Sequence, residues 1–281
     1  MSEKRYYSIR TGKHPLGSKL NLDTLLKMFL SIFCDFERRG YFQEAFGHTC
    51  VDAGWVPGII GEDISAYFLI KLRKDNLWKI NDNYLGYTEE DLFDVIELLF
   101  DCVSKPIDGW YHSYGDCGMH YKTFEKKPGQ DEFRNKLNEV LKDYKDGYEL
   151  SKTGEIWAPV VSGMEVLFES ELPEYDEENI NRRVASARDI FRRHSSSLED
   201  KRNAIKMLAD VLEFLRPKLK TILSANDEKD LFEIANSFGI RHHNLKQKTG
   251  YDQSVWFDWM FYYYLATIDT AVRLIAKQEK P

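Results

Sequence analysis

The segment Ser197-Leu-Glu-Asp-Lys-Arg-Asn-Ala-Ile-Lys-Met-Leu-Ala-Asp-Val-Leu-Glu-Phe-Leu215 decides the fold class of this chain. Ser197 and Asp200 have the spacing with which a serine side chain caps the start of a helix. The apolar residues that follow fall on one stripe of a helix: Ala204, Leu208, Val211, Leu212 and Leu215. The pattern predicts an amphipathic helix that Pro217 bends or ends. Because similar patterns recur elsewhere, we expect a mainly α protein.

The zone 178–281 around this segment is predicted to be helical throughout. The pattern favours helices over Ile180–Arg193 and Trp256–Ala276, and a short helix over Asp230–Phe238 that ends at Gly239. Helices joined by short connections are typical of a bundle. The zone is therefore predicted to form a C-terminal helical bundle.

The zone 1–125 is predicted to be a helical, loop-rich N-terminal module. Apolar residues recur at helical spacing over Leu20–Arg39 and Ile64–Leu72, and a further helix is expected to begin after Thr88, which has the spacing of a capping box. The stretch Cys50–Gly58 contains glycine and proline residues that interrupt any period, which predicts a loop.

The zone 126–177 is predicted to connect the other two. A short helix is expected over Asp131–Tyr144, followed by a small β-hairpin between Tyr148 and Trp157. Pro173 and the acidic run Glu174–Glu178 indicate a linker or a domain edge.

The composition predicts a soluble cytoplasmic protein. The chain has 281 residues and a net charge of −7, and its uncharged apolar run Trp259–Ile268 is too short for a bilayer, which needs about 20 residues. The N-terminus lacks the apolar stretch of a signal peptide. We expect the four cysteines to be reduced thiols: Cys34, Cys50, Cys102 and Cys117.

Basic residues are concentrated between Arg182 and Lys220. This segment contains eleven lysines and arginines against five acidic residues, within a chain that is acidic overall. One interpretation is a nucleic-acid-binding surface. The other is the solvated face of one or two helices.

Three parts of the sequence carry a resemblance to known proteins. Ser197 to Glu213 resembles a helix common in prokaryotic defence proteins of the all-helical HEPN superfamily, and Gly239-Ile-Arg-His242 is similar to the region that precedes the family's last helices. The stretch from Asn135 to Pro159 resembles a segment upstream of such domains. The zone 1–125 is similar to the N-terminal domains of AbiJ-type abortive-infection proteins. The resemblance implies a phage-defence protein with a C-terminal HEPN-like bundle.

The resemblance also implies metal-independent endoribonuclease activity, without a cofactor, at a composite site formed by a homodimer. Arginine can hold phosphate oxygens, and histidine can act as base or acid near neutral pH. Arg241 is therefore the candidate that stabilises the phosphate, and His242 or His243 the candidate base or acid. The further candidate contacts to RNA or phosphate are Asn244, Lys246, Lys248, Arg192 and Arg193.

A non-catalytic module is the alternative. Catalytic members of the family have a histidine a few residues after the arginine, where this chain has Lys246, Gln247 and Lys248. Such a module would bind RNA, a nucleotide or a partner protein and would dimerise through its last helix. In either case a phage or host protein is the candidate trigger. Arg241 would then pair with a carboxylate such as Glu213.

A third hypothesis is a zinc site in the N-terminal zone. His112, Cys117 and His120 form a His-x4-Cys-x2-His pattern of residue types that bind zinc. Cys102 or His48 would supply the fourth ligand. The alternative is that these residues are loop histidines that are exposed or bonded to the backbone.

Overall fold

We describe a computed structural model of the chain. It describes residues 19–161, 163–193, 196–223, 231–233 and 252–278, together with the single positions 7, 11, 226 and 229. The protein is mainly helical, with small antiparallel sheets. The chain divides into two compact units, Met1–Pro159 (unit 1) and Val160–Pro281 (unit 2), so the boundary lies within the segment predicted as a connector.

The helices of unit 1 agree with most of the predicted ones. In chain order they are α1 Leu22–Arg38, α2 Gln43–Phe46, α3 Ile64–Leu72, α4 Ile80–Asn83, α5 Glu89–Cys102 and α6 Lys126–Leu141. The predicted helices over Leu20–Arg39 and Ile64–Leu72 are confirmed. The capping box of α5 is also confirmed, because Thr88 accepts from the backbone N–H of Asp91 and the Asp91 carboxylate accepts from the N–H of Thr88.

Three antiparallel hairpins complete the part of unit 1 that the structure describes. They pair β1 Gly47–Cys50 with β2 Gly54–Pro57, β3 Lys105–His112 with β4 Gly118–Glu125, and β5 Glu149–Leu150 with β6 Ile156–Trp157. The third hairpin confirms the one predicted between Tyr148 and Trp157.

Three features of unit 1 differ from the prediction, and one of them is the β3–β4 hairpin, which was not predicted. The stretch Cys50–Gly58 was predicted as a loop, which is wrong, since most of it belongs to the β1–β2 hairpin. Helix α6 begins at Lys126 and not at Asp131, with a proline in its first turn. Proline is tolerated there because the first N–H groups of a helix have no partner within the helix.

The core of unit 1 is rich in phenylalanine. The ring of Phe133 on α6 lies edge-on to Phe36 on α1, at 5.2 Å between centroids, and to Phe42, at 6.0 Å. Helix α5 contributes a fully buried stripe to the same core (Leu92, Val95, Ile96 and Leu99). Glycines allow close approach between helices and hairpins, since a Cβ on Gly58 would lie 2.3 Å from the carbonyl oxygen of Ala45 on α2 and a Cβ on Gly129 of α6 would lie 2.4 Å from the backbone nitrogen of Lys105 on β3. Glycine also allows close approach within the first hairpin. A Cβ on Gly47 would lie 2.1 Å from the carbonyl oxygen of Val56.

The described part of unit 2 is helical. It contains α7 Glu165–Glu169, a π-helical turn Glu177–Asn181, α8 Arg182–Arg192, α9 Leu198–Ile222 and α10 Gln253–Gln278. The predicted Ser197 cap and the stripe from Ala204 to Leu215 are confirmed, because Ser197 and Asp200 form a capping box and the stripe is buried. Helix α9 continues through Pro217 and does not end there.

The predicted helix Asp230–Phe238 and its Gly239 cap lie largely outside the described residues. Within this stretch the structure describes residues 231–233, which are helical. Helices α8, α9 and α10 share one hydrophobic core, in which the rings of Phe191 and Phe261 stack at 3.8 Å. Among the residues that the structure describes, no helix is both long and apolar enough to cross a membrane.

Candidate metal centre

The predicted catalytic cluster lies outside the described residues. This holds for Arg241, His242 and His243, and for the predicted RNA contacts Asn244, Lys246 and Lys248. The two other predicted contacts are placed at the end of α8. Arg192 is buried, with its guanidinium 5.0 Å from the centre of the Phe168 ring, and Arg193 is exposed.

Four side chains of metal-binding type converge in unit 1. One ligand atom from each of Cys50, His112, Cys117 and His120 lies within 4.8 Å of those from the other three. The His-x4-Cys-x2-His pattern of the sequence is therefore brought together in space. The structure adds Cys50 to it, from 62 residues before His112.

The first hairpin positions Cys50. This cysteine is the last residue of β1, opposite Gly54 of β2, and it is buried. Gly54 has φ +73°, a left-handed conformation that glycine adopts at little cost, and it lets the chain reverse directly after the cysteine. Since side chains alternate along a strand, His48 and Cys50 lie on the same face of β1.

The second hairpin positions the other three residues. His112 ends β3 opposite Gly118, and His120 lies two residues along β4 on the same face of the sheet. Between the strands the chain turns tightly through left-handed residues, including Gly115 at φ +59° and Gly118 at φ +93°. This turn brings Cys117 back beside His120, with its Sγ 3.1 Å from the Nε2 of the imidazole.

A close backbone approach fixes the strand next to His120. A Cβ on Gly109 of β3 would lie only 2.3 Å from the carbonyl oxygen of His120. Any larger residue at position 109 would therefore displace the backbone that carries this imidazole. His120 itself is only 3% exposed.

Two distances in the cluster are close to those of a tetrahedral zinc site. Zinc binds sulfur at about 2.3 Å and imidazole nitrogen at about 2.0–2.1 Å, so neighbouring ligand atoms of a tetrahedron lie about 3.3–3.8 Å apart. The Sγ of Cys50 lies 3.7 Å from the Nδ1 of His112, and the Sγ of Cys117 lies 3.1 Å from the Nε2 of His120. Small side-chain adjustments would therefore place one ion among the four atoms.

Two aromatic rings pack against the imidazole of His120. His48 packs against His120 at 4.3 Å between centroids, and Trp110 lies edge-on to the same imidazole at 5.0 Å. Burial, together with the neighbouring His120, lowers the pKa of His48. His48 is therefore held as a neutral ring beside the cluster and is not one of the four converging residues.

A carboxylate lies on the exposed side of the cluster. Asp52, in the turn between β1 and β2, has its Oδ2 3.2 Å from the Nε2 of His112. The Nδ1 of the same ring faces Cys50. The two nitrogens of His112 thus face different partners.

The other two cysteines have different surroundings. Burial raises the pKa of the Cys102 thiol, at the end of α5, to about 11. Burial also raises the pKa of Cys34, whose thiol contacts Asn81 at 3.1 Å. The prediction that Cys102 or His48 would supply the fourth ligand is wrong, because Cys50 occupies that place. All four cysteines are free thiols, as expected.

Two thiols and two imidazoles at these separations can bind a metal ion of the zinc type, and no fifth group is needed to complete a tetrahedron.

Comparison with protein-family models, curated proteins and solved structures finds no match to this chain.

Proposed function

We propose that this chain is a zinc-binding protein whose metal centre links the β1–β2 hairpin to the β3–β4 hairpin of unit 1. The observation that carries the proposal is the convergence of Cys50, His112, Cys117 and His120 within 4.8 Å. These residues come from the ends of two separate hairpins. Their approach is therefore a property of the tertiary fold and not of one short sequence motif.

The donor set favours zinc. Thiolates exclude the hard cations magnesium and calcium, which prefer oxygen ligands. Two thiolates and two neutral imidazoles around Zn²⁺ form a group with no net charge, which suits the buried positions of Cys50 and His120. Zinc also has no electronic preference against the tetrahedral coordination that four ligands of these types commonly give it.

The role of the metal is structural in this proposal. Catalytic zinc sites have three protein ligands and an open position for water or substrate, whereas four protein ligands close the site. A two-stranded hairpin is only marginally stable in water by itself. A zinc ion would link the β1–β2 hairpin to the β3–β4 hairpin and so close a long loop of the chain between them. A cross-link that closes a long loop is expected to stabilise the fold most, because closing such a loop has the largest entropic cost.

Metal analysis of the purified full chain tests the proposal. The chain is reconstituted with zinc under reducing conditions, and the excess ion is removed. We then expect elemental mass spectrometry to find one zinc ion per chain. Cys117→Ser should lose this zinc, because it removes one of four ligands. Cys34→Ser is the matched control, since Cys34 contacts Asn81 and lies outside the cluster, and it should retain the metal.

Cobalt substitution gives a second measurement that does not depend on a folded variant. Co²⁺ bound to the wild-type chain should show the absorption of a tetrahedral site with thiolate ligands. A wild-type chain that takes up neither ion in stoichiometric amount would refute the proposal.

We also propose that unit 2 is the HEPN-like bundle of a phage-defence protein that acts on RNA in the cytoplasm as a homodimer. The support is the packing of α8, α9 and α10 around one core, which is compatible with an all-helical domain, and the resemblance of Ser197–Glu213 described above. In this second proposal Arg241 stabilises the phosphate and His242 or His243 transfers the proton. A non-catalytic binding module remains the alternative outcome of its test.

A further inference from the structure

Asp52 lies where it can control one ligand of the metal centre. It follows Cys50 by two residues, in the turn that ends the first hairpin's first strand. Its Oδ2 is 3.2 Å from the Nε2 of His112, while the Nδ1 of that ring is 3.7 Å from the Sγ of Cys50. The two nitrogens of the His112 ring therefore face two side chains from the turn end of the first hairpin: Nε2 faces Asp52 and Nδ1 faces Cys50.

The two ring nitrogens have opposite tasks in a metal site. A neutral imidazole carries hydrogen on one nitrogen only, and the nitrogen without hydrogen has the lone pair that binds a metal. A carboxylate beside Nε2 favours the tautomer with hydrogen on Nε2. The Nδ1 lone pair is then free to point into the cluster, which is where the structure directs it.

We propose that Asp52 is a positioning residue of the metal centre, which selects the tautomer and the ring orientation of His112 and thereby raises the affinity for zinc. Asp52 does not itself bind the metal. The inference rests on the proposed function, since it deepens the account of the same site. Carboxylates that accept from a metal-bound histidine commonly change metal affinity about 10–100-fold.

The two imidazoles of the site are held in different ways. His120 is buried and packs against the rings of His48 and Trp110. The side chain of His112 is 22% exposed and faces the carboxylate of Asp52. Loss of the carboxylate should therefore loosen His112 and leave His120 in place.

The exposure of Asp52 limits the change in zinc affinity that an ordinary surface ion pair could cause. Its side chain is 64% exposed, and an ion pair between exposed groups changes an equilibrium by at most about five-fold. A larger loss of zinc affinity would require that the carboxylate acts through the metal ligand.

The test compares zinc affinity in the full chain by competition with a chromophoric chelator. We expect Asp52→Asn, which keeps the shape and the turn preference of the residue, to weaken zinc binding by about 10–100-fold. Asp52→Glu should recover part of the loss. Asp108→Asn is the matched control, because it removes an exposed carboxylate from β3 of the second hairpin, and it should bind zinc as the wild type does.

A spectroscopic measurement addresses the mechanism directly. Nitrogen NMR of the metal-free wild type should show neutral His112 with hydrogen on Nε2, whereas Asp52→Asn should show a mixture of tautomers. A purely structural role for Asp52 would not change this ratio.

The outcomes distinguish the two proposals. If the wild type binds zinc and Asp52→Asn binds it within about two-fold of the wild type, the role of Asp52 is refuted while the zinc site stands. An equal loss in Asp108→Asn would also refute it, because the effect would then be one of general charge. If the wild type binds no zinc, the metal site itself fails, and the role of Asp52 fails with it.

Discussion

Unit 1 combines helices with three short hairpins, whereas the described part of unit 2 contains two long helices, α9 and α10, that share one core. A helix satisfies its backbone hydrogen bonds within one segment, so its stability depends on its caps and its buried stripe. The strands of unit 1 are between two and eight residues long, and each pairs with only one other strand, in a two-stranded hairpin that is marginally stable by itself. The hairpin ends are therefore the parts of unit 1 that need a stabilising link from outside their own hairpin.

The largest expected effect is on unit 1 after metal removal. Structural zinc in small zinc-finger peptides contributes apparent binding free energies of about 10–16 kcal/mol, which are also free energies of folding. We expect a strong chelator to abolish the protection of backbone amides in β3 and β4 from hydrogen exchange. The amides of α9 should keep their protection, because unit 2 has its own core.

Cys50→Ser should reproduce the effect of the chelator in the presence of zinc, and Cys34→Ser should not. Equal loss of protection in β4 and α9 would contradict the prediction, because it would show that the two units unfold together. Unchanged protection in both would show that the hairpins are stable without the metal.

The helices were predictable from the sequence because their signals are local. The cap at Ser197, its partner Asp200 and the stripe that follows lie within about five turns of one helix, and each is confirmed. The same holds for Thr88 and Asp91 at the start of α5. Periodicity and capping need no knowledge of the tertiary structure.

The site was predictable only in part. His112, Cys117 and His120 were visible as a pattern because one hairpin turn carries them. Cys50 was not, since it lies 62 residues earlier and only tertiary packing brings it to the cluster. The β3–β4 hairpin was missed because Pro106 and the glycines of this stretch interrupt the alternation of a strand. Gly109 is in fact a close-contact position beside His120.

A second prediction asks whether RNA cleavage belongs to unit 2. Removal of one side-chain donor that stabilises charge in a transition state typically lowers a rate by a factor of about 10²–10³. If the nuclease hypothesis is right, cleavage of a mixed pool of tRNA and single-stranded RNA continues in EDTA, and Arg241→Ala reduces its rate by about that factor. Gel analysis of the products over time measures both effects.

Lys206→Ala is the control for this experiment, because it removes an exposed cation of unit 2 from α9, within the basic segment Arg182–Lys220. A general loss of basic charge would lower cleavage in both variants. Absence of cleavage by the wild-type homodimer, both zinc-loaded without chelator and in EDTA, would favour the non-catalytic module, and RNA-binding measurements would follow.

The smallest predicted effects concern the two capping boxes, one in each unit. Removal of a serine or threonine cap typically costs about 1 kcal/mol, whereas glycine at the same position costs only a few tenths. We therefore expect Thr88→Ala to destabilise the first turn of α5 and Ser197→Ala that of α9, each without effect on the other unit. Local hydrogen exchange at Asp91 and Asp200 measures the two changes.

The two boxes should not respond equally. The Asp91 carboxylate also pairs with Lys74 at 2.9 Å, and its side chain is 17% exposed, whereas Asp200 is exposed to solvent. Water can replace a lost cap more easily where the helix end is open, so Thr88→Ala should cost more than Ser197→Ala. Glycine variants at both positions serve as controls, and a larger loss at Ser197 would mean that solvent access does not set the difference between the two helix ends.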